Sequence, residues 1–134
     1  RLVGVVDQIG KTTLREFIRL CRSAEGGVGP VTLMQHCFAA LEKPYVCISG
    51  GREPPSFTHY NTQTTLHTIG ALDCCRTGGC WKSRVVALHD GDSKDKELCM
   101  QPIPHGRAHV QRCMAMIEPE DVVAAVLRYE VGRR

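Results

Sequence analysis

Aromatic residues are scarce in this chain of 134 residues: 5% in all, with a single tryptophan. No apolar run is long enough to span a bilayer as a helix, so no membrane-spanning helix is expected. An excess of one charge is also lacking. Basic residues outnumber acidic ones by only three, and they are scattered without an interleaved aromatic patch. A nucleic-acid interface is therefore left without its usual electrostatic footprint. Neither an internal repeat nor a low-complexity tract occurs, which removes solenoids and biased linkers from consideration. An initiator methionine and a secretion signal are missing too; the chain opens on Arg1, and a fragment with an upstream part is expected. What is there is ordinary for a globular chain: 43% hydrophobic residues, in a length that makes one domain and buries roughly two-thirds of the unfolded surface.

The most informative stretch is 25–53, EGGVGPVTLMQHCFAALEKPYVCISGGRE. Gly26, Gly27 and Gly29 read as a glycine loop, a backbone path that side chains would block. Pro30 fixes φ ahead of a helix in which Leu33, Cys37, Ala40 and Leu41 share one face. Thr32 stands where a hydroxyl cap meets free N–H groups. Lys43-Pro44 stops the helix, and Tyr45 to Ser49 suits a buried strand. A second glycine loop, Gly50-Gly51-Arg52-Glu53, then opens at the strand's C-terminal end, the edge where ligands bind in open α/β sheets. Unpaired amides at a helix N-terminus favour an anion such as a phosphate, and His36 in the first turn can face the same ligand. The same residues also fit a purely structural helix with a packing histidine.

Elsewhere, Leu2 to Val6 reads as a short buried strand. Thr13 with Glu16 reads as a capping box, ahead of a helix whose apolar face is Leu14, Phe17, Ile18 and Cys21. The order strand, helix, loop, helix, strand predicts an α/β domain, a Rossmann-like parallel sheet with helical crossovers. GKTT at 10–13 is not a phosphate loop, because Val5 stands where that motif needs its first glycine. Lys11 and Thr12 remain at a strand-to-helix turn on the ligand edge. Residues 53–113 read as a loop-rich, cysteine-containing subregion. Within it Leu66, Ile69 and Leu72 give weak periodicity, Val85 to Leu88 a brief strand, and QPIPHGRAHVQR a loop. Asp90, Asp92 and Asp95 lack the spacing of a calcium loop. Pro119 opens a last helix, with Glu120 and Asp121 complementing its dipole and Val122, Val123, Val126 and Leu127 as its apolar face.

Eight cysteines fall into two groups. Cys21, Cys37 and Cys47 sit singly in apolar elements and read as small core residues. Cys74, Cys75, Cys80, Cys99 and Cys113 crowd the loop-rich region. Four thiolates, Cys75, Cys80, Cys99 and Cys113, would suit a closed structural zinc site, although the regular C-x2-C knuckle is missing. Disulfides and unbridged thiols are the other two readings, with the reduced state preferred in the absence of a secretion signal. Nothing marks one thiol as an activated nucleophile.

Five segments taken together resemble the C-terminal half of a glycosyltransferase family 9 protein, the ADP-heptose:lipopolysaccharide heptosyltransferase family. They are GKTTLRE (10–16), VTLMQHCFAAL with KPYV (31–46), ISGGRE (48–53), CCRTGGCWKSR (74–84) and CMAMIEPEDV (113–122). The likeness covers nearly the whole chain and has the look of a divergent branch. It implies the C-terminal domain of a GT-B glycosyltransferase: two Rossmann-like domains face a cleft, and this one binds the sugar nucleotide. The resemblance also implies inverting transfer with no cofactor required for catalysis, and a general base in the other half. Lys11 and Thr12 match the turn beside the nucleotide. Thr32 and His36 match the threonine and histidine of the family's Asp-Thr-Gly-x-x-His stretch, which meets diphosphate and sugar. Val31 stands in place of the aspartate and Leu33 in place of the glycine. Gly50, Gly51, Arg52 and Glu53 belong to the same expected donor site. The implied partners are a nucleotide-sugar donor, ADP-heptose or similar, and a glycan or lipid-linked acceptor reached through the other domain. The implied setting is lipopolysaccharide or related glycan assembly in the cytoplasm, with a peripheral place at the inner membrane face. The alternative expectation is a non-catalytic, zinc-stabilised interaction module derived from that fold.

Overall fold

The structure, a computed structural model, describes residues 3–81, 99 and 101–131. Local signals set the first helix, α1 (Leu14–Ser23). The Thr13 hydroxyl accepts from the Glu16 amide, and the Glu16 carboxylate accepts from the Thr13 amide at 2.8 Å. This is the capping box that the sequence predicts. Cys21 is buried and Phe17 packs against the core, while Leu14 and Ile18 are exposed. The inward face is therefore narrower than the apolar pattern.

The first stretch read as a glycine loop is a strand. β1 (Gly27–Pro30) pairs in parallel with β2 (Tyr45–Gly50), and β2 pairs in parallel with β3 (Gln63–His67). β2 is central. Close packing explains two of the glycines. A Cβ at Gly27 would lie 2.6 Å from the Phe38 ring, and one at Gly29 would lie 2.7 Å from the Tyr45 hydroxyl. Helix α2 (Leu33–Ala40) carries the chain from β1 to β2. It buries Gln35 and Phe38, whereas Leu33 and Ala40 are exposed. Cys37 and Leu41 do pack inward. Cys21, Phe38, Tyr45 and Cys47 form the core cluster, so α1 and α2 cover one face of the sheet.

Side chains alternate along a strand, and Val46 points to the opposite face from Tyr45 and Cys47. There α4 (Pro119–Val131) sets Val126 and Tyr129 beside Val28 and Val46. Within it Ala125 is buried, and Val123 and Leu127 are exposed. The fold is thus α/β, a three-stranded parallel sheet with helices on both faces. No helix among the described residues is long and apolar enough to cross a membrane.

Three other expectations change. Val3 to Val6 form no strand; they are exposed, and Gly4 turns the chain at φ 78. Among the described residues no strand pairs with this apolar run. Polar Thr64 and Thr65 hid β3, yet β-branched threonine suits a pleated surface, and the Thr64 hydroxyl lies 2.8 Å from that of Tyr129. The stretch 101–112, read as loop, holds a hairpin of β4 (Pro102–His105) and β5 (Ala108–Gln111). Its two-residue turn starts at Gly106, φ 60, as tight hairpins favour. A short helix, α3 (Arg112–Ala115), follows and packs near β2. The strand expected at Val85 to Leu88 and the acidic loop with Asp90, Asp92 and Asp95 lie outside the described residues.

Candidate functional site

Parallel strands align their C-terminal ends, so the exits of β1, β2 and β3 share one edge. Three segments meet there: the start of α2, the second glycine loop and the turn after β3. At the first of these, Thr32 has the extended φ of an N-cap, −149°, but its side chain makes no capping bond. Its hydroxyl turns instead towards the Pro30 carbonyl, 3.5 Å away, where the Tyr45 hydroxyl also donates at 3.0 Å. Thr32 and Leu33 are exposed, and no side chain caps α2. The Gln35 amide donates to the Thr32 carbonyl at 3.0 Å, so the uncapped leading amides are those of Leu33 and Met34. His36 is exposed one turn on, and its Nδ1 lies 2.8 Å from the Tyr60 hydroxyl. That contact leaves Nε2 as the nitrogen available to a ligand.

Gln35 anchors this corner. It is fully buried, and its Nε2 donates to the Thr58 carbonyl at 2.8 Å, while Gln63 Nε2 donates to the Gln35 carbonyl at 2.9 Å. The sequence marks neither Gln35 nor the partnership of Tyr60 with His36. Polar residues on an apolar helix face carry no spacing signal for such long-range bonds.

The second glycine loop serves a different purpose from the one expected. Gly50 takes φ 62, a conformation glycine adopts without strain. A Cβ there would meet Met114 Sδ at 2.6 Å, and one at Gly51 would meet Cys75 Sγ at 3.1 Å. Both glycines therefore face the cysteine-rich region. That region docks through backbone bonds: Cys80 N–H to the Gly51 carbonyl at 3.0 Å and Trp81 N–H to the Arg52 carbonyl at 2.9 Å. Arg52 is exposed and Glu53 half-buried. Lys11 lies in the exposed segment before α1, where its ammonium pairs with Asp7 at 3.1 Å. Thr12 is half-buried in that same segment. Val3 to Val6 form no strand, so the turn into α1, closed by the Lys11 amide on the Gln8 carbonyl at 3.1 Å, does not follow a strand as expected.

Five cysteines converge under the loop. Burial pushes the Cys74 thiol up, and the nearby thiols of Cys75, Cys80, Cys113 and Cys99 push in the same direction. Cys113 is also raised, chiefly by burial, against the pull of the Gly51 amide on its sulfur. Cys75 donates to the carbonyls of Leu72 and Thr68 at 3.3 and 3.4 Å. The Gln101 amide donates to Cys99 Sγ at 3.4 Å. Cys74, Cys75, Cys99 and Cys113 are in no disulfide. Raised thiols stay protonated at neutral pH, which suits a nucleophile poorly. As donors they are zinc-like in chemistry. Among the described residues, however, no group of three or more is arranged as a metal site.

A separate cavity of about 260 Å³ opens at the opposite sheet edge, between the starts of β1 and β2 and the residues Val126 and Tyr129 of α4. It is remote from the exits of the strands and holds none of the residues expected to bind a donor. Comparison of the chain with protein-family models, with curated proteins and with solved structures gives no match in any of the three, so the reading of function rests on the site and on the segments described above.

Proposed function

We propose that the chain is the donor-binding half of a heptosyltransferase-like, inverting glycosyltransferase that takes a nucleotide-sugar such as ADP-heptose. The observation that carries the reading is the open first turn of α2 at the C-terminal edge of a parallel sheet. Breaking a bond to a nucleoside diphosphate gathers negative charge on the leaving oxygens. Uncapped amides and the helix dipole stabilise that charge where it develops. His36, steadied by Tyr60, and the exposed Arg52 on the adjoining loop supply further donors. Val31 packs towards the core cluster, so it offers the sugar none of the contacts an aspartate would make there. The general base belongs to the other half, in the cytoplasmic, glycan-building setting that the segment resemblance implies.

Isothermal calorimetry with ADP and with pyrophosphate tests the reading. The expected result is weak but saturable binding of both, with no sugar transfer by this chain alone. Thr32→Glu places a carboxylate at the helix mouth and weakens both by at least about tenfold. Absence of binding to every nucleoside diphosphate and to pyrophosphate would overturn the proposal. A second reading is a non-catalytic module stabilised by structural zinc on Cys75, Cys80, Cys99 and Cys113. Its support is the five cysteines placed in one region beside the second glycine loop, although among the described residues no three are arranged to hold a metal. A structural ion would not exclude the first reading.

A further inference from the structure

Phe57, at the end of a 3-10 turn (Pro55–Phe57), and Trp81, in the segment bonded to Gly51 and Arg52, come together. Their ring centroids are 4.8 Å apart and their planes 74° apart, an edge-to-face pair. Burial does not account for them: Phe57 is 67% exposed and Trp81 52%, although large aromatic rings have the most to gain from a core. Trp81 moreover holds φ at 55°, a left-handed conformation that is strained for a bulky residue. The backbone bonds from Cys80 and Trp81 to Gly51 and Arg52 keep it there. Strained backbone that displays an indole to solvent is the kind of outlier that marks function.

The pair adjoins the start of α2. Phe57 precedes Thr58, whose carbonyl is held by Gln35, and Tyr60 holds His36. Trp81 is bonded through its backbone to Arg52. The geometry points to a carbohydrate-ring platform formed by Phe57 and Trp81 beside the diphosphate site, an assignment that rests on the donor-site reading above. The face of an aromatic ring is electron-rich and attracts the polarised C–H bonds on the flat side of a pyranose. Both rings are exposed, so a sugar stacked on them keeps its hydroxyls in water or turns them towards Arg52, whose carbonyl accepts from the Trp81 amide. A nucleobase, flat on both faces, is better served by a slot between parallel rings, which two perpendicular rings do not make.

Trp81 is the only tryptophan, so its fluorescence reports on the platform directly. The chain is titrated with methyl glucopyranoside, methyl mannopyranoside, L-glycero-D-manno-heptose and cellotetraose, with adenosine and pyrophosphate alongside. At least one carbohydrate is expected to change the emission saturably. Phe57→Ala is expected to weaken that carbohydrate roughly tenfold while leaving pyrophosphate binding unchanged; calorimetry on Trp81→Ala is expected to show the same loss. Silence to every carbohydrate while pyrophosphate binds would overturn the platform and leave the diphosphate reading standing. A response to adenosine alone would assign the corner to a base and equally overturn it. Carbohydrate binding without pyrophosphate binding would support the platform and remove the diphosphate site.

Discussion

Tyr45 is fully buried, and its hydroxyl still reaches the Pro30 carbonyl just ahead of α2. Burial pushes this phenol up to about 12, with the Cys47 thiol adding to the rise and the Thr32 hydroxyl opposing it. Cys47, equally buried, is pushed up to about 11 by burial and then by Glu53. Both are acids whose neutral form the fold favours. In the unfolded chain they ionise first, from ordinary values of 10.0 and 9.0. Above pH 9 the unfolded chain therefore binds fewer protons than the folded one, and stability falls with rising pH until the folded groups ionise in turn. Urea unfolding at pH 8 and pH 10.5 is expected to differ by on the order of 2 kcal/mol, and Cys47→Ala is expected to flatten the lower part of the slope. A level profile between those two pH values would contradict the burial of both groups. Cys47 was legible as a core residue because it sits inside an apolar run. The use of Gly27 and Gly29 was not: a glycine that admits a ligand and one that admits a phenylalanine ring look alike until the ring is placed.

Two helices begin with threonine, and only one is capped by it. Thr13 has Glu16 at the third helical position, free to reach back. Thr32 has Gln35 at the matching position, but that amide is committed to Thr58, and the Thr32 hydroxyl turns to Pro30. Thr13→Ala is therefore expected to cost about 1 kcal/mol. Thr32→Ala is expected to cost no more than a few tenths, since no cap is lost. Equal losses in chemical unfolding would mean that Thr32 closes the first turn of α2, and the diphosphate site would lose its open amides. The sequence made α1, α2, β2 and α4 legible, since each carries a period, a cap or a proline boundary. It obscured β3 and the β4–β5 hairpin, whose threonines and prolines read as polar or broken. There, pairing to β2 and a two-residue turn outweigh local preference.

In the folded chain the second glycine loop links the sheet to the cysteine-rich region. Gly50 and Gly51 admit Met114 and Cys75, and the Thr68 hydroxyl donates to the Cys113 carbonyl at 3.0 Å. The strand-edge placement of this loop was readable from residue order. Its inward-facing glycines were not, because segments distant in sequence supply the groups they meet. An ion shared among thiols from the 75–80 turn, from Cys99 and from Cys113 would close long loops onto the end of β2, and the entropy of ordering those loops would then be offset by metal–sulfur bonds. Binding would need neutral thiols to release protons, and Cys75 to give up its bonds to Leu72 and Thr68. If the zinc reading holds, protein prepared without chelator carries about one zinc per chain, and chelation lowers its unfolding temperature by several degrees. Cys75→Ser then separates the ligand role from the packing role. Loss of zinc together with the drop in stability makes Cys75 a ligand, whereas a drop with zinc retained makes it a buried thiol bonded to carbonyls. Metal-free protein whose unfolding temperature ignores both zinc and chelator would end the zinc reading, and Cys75 and Cys113 would then stand as the apolar packing that Gly51 was left small to receive.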